Sequence, residues 1–275
     1  MYDDQPFWVL YEQAMEAYYG RHPLGHRVLG TNETVAALTR DQMRSYFEHR
    51  YSADNTVLAL AGRVDFDAVV DRAQALCGDW QTTQPSRHYP AMGPSQDVID
   101  VAFPKASRHY ELMAMPAAPV QDDDRYASAL IAEVLGSSDG SRLYWALVDP
   151  GLAEEAQAQY DGRDGDGVLF VYFVCPPEAG ASVRATAITA MSDLRDSLTD
   201  DDLERARSKI ATAVTLAGER PAGRMRRLGH LWAQTGQYES LDEDLARIEA
   251  LTLEDLRRVI DRFPLRPSTI GALHP

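Results

Sequence analysis

His22 and His26 stand four residues apart, the separation at which a helix sets two imidazoles on one face to hold zinc. Pro23 and Gly25 lie between them with no Glu, so His22-Pro23-Leu24-Gly25-His26 reads as loop. No H-E-x-x-H or H-x-x-E-H run occurs, and the other histidines (His49, His88, His109, His230, His274) are scattered. G-x-S-x-G is absent, and neither Cys77 nor Cys175 has a catalytic signature around it. Far apart and in dissimilar contexts, these two read as reduced, buried thiols. Gly136–Ser141 has the small residues of a phosphate cradle but no G-K-[ST] and no preceding strand, so it reads as a tight helix–helix turn. The acidic run Asp161–Gly167 lacks a helix-flanked calcium loop and reads as a hairpin connection. Arg220, Arg224, Arg226 and Arg227 read as a solvated or internally paired helix face. From its residues alone, the chain shows no active site.

The bulk numbers exclude more than they propose. Lys+Arg 27 against Asp+Glu 42 gives a net charge of −15, the wrong sign for a phosphate-backbone binder. A hydrophobic content of 45% with 25% charged residues is that of a soluble globular protein, large enough for one domain or two modest ones. No apolar run is long enough to span a membrane and no signal sequence opens the chain, so a cytoplasmic location is expected.

The elements that would position any site follow in order. Pro6–Tyr19 carries Trp8, Tyr11, Met15 and Tyr18 at helical spacing, an apolar stripe ended by Gly20. Thr39 caps the next helix, with Asp41 in its first turn. Thr56–Ala61 is a nearly continuous apolar run, expected as a strand buried on both faces. Asp65 opens helix Phe66–Leu76, and the Gln-, Thr- and Pro-rich stretch 81–96 is expected as a linker. Beyond it, strands are expected at Val98–Phe103, Tyr110–Met115, Ala156–Tyr160, Val168–Val174 and Ser268–Leu273. Helices are expected at 124–135, Arg142–Val148 and Ala181–Leu198, in a long acid-capped stretch broken at Pro221, and at 242–250 and 253–263.

One part of this order recurs. Ala37–Gly62 aligns without a gap on Ala250–Pro275, identical at Ala37/Ala250, Leu38/Leu251, Thr39/Thr252, Arg44/Arg257, Thr56/Thr269, Ala59/Ala272 and Leu60/Leu273. A shared helix cap alone could be coincidence; a strand in the same register as well reads as a duplicated unit. If the second copy begins near Asp97, its twin would begin about 110 to 120 residues upstream of Met1, on a repeat-based estimate. The expected division is 1–80 as the end of a first, incomplete unit, 81–96 as linker and 97–275 as a second unit, both of α+β class.

HPLGHRVLGT, followed by ALTRDQMRSYFEHRYSADNTVLALAG, resembles the pitrilysin/insulinase family of zinc metallopeptidases, including its mitochondrial processing branch. LGSSDGSRLYWALVDPGLAEEA resembles the glycine-containing turn and helix of that family's non-zinc unit, and TDDDLERARSKI and EALTLEDLRRVI resemble its late helices. The likeness covers essentially the whole chain. It implies two related α+β units, each a mixed sheet packed with helices, clamped around a peptide chamber. It also implies zinc held by an H-x-x-E-H helix and a later Glu in the first unit, all of which would map upstream of Met1. No cofactor is therefore expected in this chain itself, and zinc only where that upstream segment is present. The family's substrate-binding Arg and Tyr of the second unit match Leu147 and Glu154, neither able to do its counterpart's job. The resemblance implies a non-catalytic portion or subunit, retaining at most peptide binding or assembly; the rival is a fragment of an active zinc endopeptidase. Expected partners are a peptide or unfolded polypeptide, a zinc-bearing subunit, or a second copy. Nucleic acid and membrane are not expected.

Overall fold

A computed structural model describes residues 4–86, 95 and 97–275. Most of the expected 81–96 linker lies outside the described residues. Contacts divide the chain into two units. The larger comprises Met1–Arg27, Ala91–Thr212 and Asp242–Pro275, the smaller Val28–Pro90 with Ala213–Leu241.

The larger unit is built on five strands: β1 (Asp97–Ala102), β2 (His109–Pro116), β3 (Glu155–Arg163), β4 (Asp166–Cys175) and β5 (Thr269–His274). Their order across the sheet is β1-β5-β2-β4-β3, with β1 parallel to β5 and the other pairs antiparallel. Alternation along β4 explains the layering. Leu169, Val171 and Phe173 enter one core; Val168 and Phe170 enter another on the opposite face. The two faces of β2 divide likewise, Met113 and Met115 from Leu112 and Ala114. Both faces are covered, so β4 reads as a continuous apolar run. Each such side chain, once fully buried, contributes about 1.5–3 kcal/mol.

The first face is covered by helices α5 (Asp124–Gly136), α6 (Gly180–Ser197) and α10 (Leu253–Arg262). α1 (Pro6–Tyr19) covers the second with Leu10, Ala14, Met15, Tyr18 and Tyr19; of the stripe read from its spacing, Met15 and Tyr18 are buried, Tyr11 packs partly buried beside them and Trp8 is exposed. By contacts, α1 thus groups with the strands beyond residue 97, and Ala213–Leu241 groups with the smaller unit, so the compact units differ from the division at 80 and 96. Sequence order hid this, because an apolar stripe says that a helix is covered and not by what. Gly136 ends α5 where a Cβ would lie 2.1 Å from the Ala158 nitrogen on β3, so only glycine lets helix and strand meet this closely.

The smaller unit holds α2 (Asn32–Ala36), α3 (Arg40–Arg50), α4 (Phe66–Cys77) and α8 (Pro221–Thr235). α7 (Asp200–Glu219) runs across the division, and α9 (Leu241–Ala250) leads back to α10. The break between α7 and α8 falls at Pro221, as its missing N–H requires. One expectation fails here. Thr56–Ala61 is no strand and is not buried on both faces; Leu58 is 65% exposed. Its composition is right for a central strand, but a strand exists only where another pairs with it.

The other described strands and helices lie close to their expected positions. Arg142–Val148 is helical throughout, wound as π-helix over Tyr144–Val148. The acidic connection is a hairpin, turning at Asp164-Gly165 between β3 and β4. His22–His26 is a 3-10 turn, not a helix. Both cysteines are free; Cys175 is buried and Cys77 half-buried.

Candidate functional site

The two positions matched to the family's substrate-binding pair have opposite surroundings. Leu147 is fully buried in the larger unit's core, and its carbonyl accepts from the backbone N–H groups of Leu152 and Ala153, each at 2.9 Å. Glu154 is exposed at the mouth of β3. Its N–H donates to the Val174 carbonyl at 2.8 Å, and its carboxylate is paired with the Arg108 guanidinium. One side chain therefore faces the core and the other is already matched.

Nor do the histidines assemble a zinc site. His22 Nδ1 accepts from the Leu24 N–H at 3.2 Å, closing its own turn. His109 Nε2 lies 2.9 Å from buried Glu111, and His274 Nε2 lies 3.0 Å from Asp100. Among the described residues no three His, Cys, Asp or Glu side chains converge as a metal would require. The donor set of the described residues does not fit zinc.

The buried charges are structural. Glu111 takes Arg184 on both carboxylate oxygens as well as His109, leaving no free lone pair aimed at a ligand. Asp124 accepts from Arg258 at 2.8 Å and Arg262 at 2.6 Å. Burial alone would raise the Asp124 pKa, but these two guanidinium groups outweigh it and hold the carboxyl below its ordinary range. Gly136–Ser141 is stitched shut: Lys209 Nζ donates to Ser137 Oγ at 2.8 Å and to the Asp139 carbonyl at 3.0 Å. The cavity there is about 30 Å³, room for a water and not a phosphate.

What the chain leaves open lies in the smaller unit. Twenty of the twenty-four exposed large apolar side chains among the described residues belong to it, and none of the buried apolar ones does. A groove of about 840 Å³ runs between the extended segment, α4 and α8, lined by Val57, Leu60, Phe66, Val70, Leu231 and Trp232. α8 abuts the segment closely enough that a Cβ on Gly229 would lie 3.3 Å from that of Ala59. Among the described residues, no hydrogen bond joins the backbone of Val57–Leu60 to another group.

The aligned positions of the larger unit make the contrast quantitative. Leu256, Val259 and Ile260 of α10 are buried against its core. Their counterparts on α3 are Met43, Tyr46 and Phe47, at 55%, 61% and 56% exposure. Apolar residues at the aligned positions are covered in the larger unit and exposed in the smaller. Patches of this extent mark binding surfaces in stable proteins. Sequence reading gave Leu147 and Glu154 only as degenerate positions; the signal for the surface was the apolar run at 56–61 in a unit expected to be incomplete.

A mixed sheet with helices on both faces, in a chain whose second unit leaves its apolar residues exposed, defines a two-unit α+β protein. Residues 37–210 match the family described as "Peptidase M16 inactive domain", and the chain belongs to that family, the pitrilysin group expected from its motifs. It is 29% identical over 283 residues to an uncharacterized zinc protease of Mycobacterium tuberculosis, covering 100% of this chain and 64% of the relative. The chain thus spans less than two thirds of that relative's length. Among solved structures, it is similar to a putative M16-like peptidase of Alicyclobacillus acidocaldarius (TM-score 0.86, 23% identity, 100% of this chain and 67% of that one). It is similar also to a chain of Complex III2 from Candida albicans (TM-score 0.91, 16% identity, 99% and 67%). At these identities the structures establish the fold.

Proposed function

We propose that this chain is a non-catalytic portion or subunit of a pitrilysin/insulinase-like zinc metalloendopeptidase, working by holding polypeptide and by assembly. The observation that carries this is the smaller unit, which buries no apolar side chain among the described residues while exposing an apolar groove beside an unpaired extended segment. Such a surface is suited to holding polypeptide. The internal duplication supports the reading, since the aligned helix of the larger unit has the cover that this one lacks. Zinc chemistry belongs to this reading only through a zinc-bearing partner or upstream segment. The assembly role has a parallel in the Complex III2 neighbour, whose chain works within a multisubunit complex.

The second reading is that the chain is a piece of an active zinc endopeptidase, favoured by the relative named a zinc protease, of which it matches 64%. One experiment separates the readings for the chain itself. A fluorescein-labelled, reduced and carboxymethylated polypeptide is titrated with the protein, reading anisotropy for binding and fragment size for cleavage. Binding without cleavage, weakened by Phe66→Glu, is expected. Cleavage abolished by a chelator, or no binding at all, overturns the proposal.

A further inference from the structure

We infer that residues 81–86 form a strap clasped to the end of α3 by the Asp54 carboxylate, and that the strap opens when that carboxylate loses its charge. These residues are the first part of the expected linker, and they are neither helix nor strand. Their fastenings are polar and reach the C-terminal end of α3 or the turn after it. Thr83 Oγ1 donates to the His49 carbonyl at 2.6 Å, and Arg50 Nη1 donates to the Ser86 carbonyl at 3.1 Å. The Ala53 N–H donates to the Gln81 carbonyl at 3.2 Å. At the centre, the Asp54 carboxylate accepts from the Thr83 N–H at 3.3 Å and the Gln84 N–H at 2.9 Å. Ser52 Oγ donates to the same carboxylate at 2.6 Å, and Ser52 is buried, so the clasp has a fixed base.

Gln84 opposes the clasp. Its φ of 47° is the only positive value at a non-glycine residue among the described residues. A side chain crowds its own backbone in the left-handed region, and Pro85 favours an extended residue before it. The residue that the carboxylate grips is thus the one that straightens on release. Straightening redirects Pro85 and Ser86 and breaks the Arg50–Ser86 contact. The strap therefore has two discrete arrangements, and one charge biases them. The duplicated frame does not require the clasp, because Leu265 and Pro267 of the larger unit align with Ser52 and Asp54 and can make no such contact.

Asp54 has no ion pair among the described residues; its bonds are those to Ser52, Thr83 and Gln84. His49 and Arg50 end α3 beside it, and Arg226 and His230 of α8 line the cavity that it borders, but none of these four bonds to the carboxylate. The Ser52 hydroxyl first, and then the strap's own N–H groups, hold its pKa below the ordinary carboxylate value against an opposing desolvation. With the folded pKa depressed, the clasp is fully made above the ordinary value and is lost as pH falls through the folded one.

Hydrogen exchange of the Thr83 and Gln84 amides in the full chain tests this, each rate taken relative to the unstructured rate at the same pH. At neutral pH both amides should be protected about ten- to a hundredfold, as hydrogen bonds to a charged group would give. Asp54→Ala and Asp54→Asn should each remove most of that protection and leave the amides of β2 unchanged. Protection in the parent should fade as pH falls below about 4, while the little left in Asp54→Asn should not follow pH. Gln84→Gly removes the left-handed crowding, so it should raise protection in the parent and have no effect beside Asp54→Ala. Unprotected amides in the parent, or protection that survives Asp54→Ala, would overturn the clasp. Protection lowered by Gln84→Gly would show that Gln84 does not oppose the clasp, and would overturn the two-state strap. An Asp54→Asn protein as well protected as the parent at every pH would overturn the dependence on charge.

Discussion

Thr39 and Thr252, 213 positions apart, close the same reciprocal capping box. Thr39 Oγ1 accepts from Gln42 N–H at 3.2 Å while Thr39 N–H donates to Gln42 Oε1 at 2.9 Å; Thr252 and Asp255 repeat both distances. The box sets where each helix starts, and the helix then sets where the following extended segment lies. One box heads a helix locked into a core, the other a helix whose apolar face is open. Thr252→Ala should therefore cost about 1 kcal/mol in the main urea transition. Thr39→Ala should leave that transition in place and lower only the helicity of the smaller unit. Equal shifts of the main transition by both variants would show that the two units unfold as one.

Leu147→Arg should unfold the larger unit and not equip it with a substrate-binding guanidinium. Leu147 is enclosed by the core, and an unpaired charge buried there costs several kcal/mol. Glu154→Tyr, at an exposed site, should shift stability by no more than about 1 kcal/mol, the worth of its surface pair with Arg108. Thermal melts of the two variants check this. A stable Leu147→Arg protein would mean that the helix at Tyr144–Val148 re-registers to expose the position.

Asp124 gives the larger unit an acid-sensitive latch. Its folded pKa is depressed below the ordinary carboxylate value, so its contribution is fully present above that value and fades as pH falls through the folded pKa. The half-exposed arginines on it limit the effect to about 1–2 kcal/mol. Asp124→Asn should lower stability at pH 7 by this amount and should melt with less dependence on pH below about 4 than the parent. Parallel pH profiles for parent and variant would contradict the latch.

Cys175 should be silent toward thiol reagents in the folded protein. Burial, with Glu111 nearby, pushes its thiol up to about 11, so almost none is thiolate at pH 8. A disulfide-exchange reagent should titrate only the half-buried Cys77 before denaturant is added and both thiols after it. Two fast thiols in the native protein would place Cys175 at the surface.

Much of this was legible because periodicity and capping are local. The α1 stripe, the break at Pro221, the Thr39 and Thr252 caps and the β3–β4 hairpin each follow from a few adjacent residues. What sequence could not show was partnership. Thr56–Ala61 has the composition of a central strand, and nothing in those residues says whether a neighbour is present to make it one. Leu147 likewise matched a functional position by motif, while its burial depends on β3 and α6 closing over it.

Hydrogen exchange of two aligned segments tests the central claim most directly: amides of Val57–Leu60 against those of Ile270–Leu273, in the protein alone at a concentration low enough to keep it dispersed. Segments without backbone partners exchange close to the unfolded rate, whereas ladder amides exchange only as fast as the structure opens. The expected result is fast exchange at Val57–Leu60 and slow exchange at Ile270–Leu273. Slow exchange at Val57–Leu60 in the lone chain would mean that the smaller unit is already complete, and would contradict its role as an unfinished docking surface.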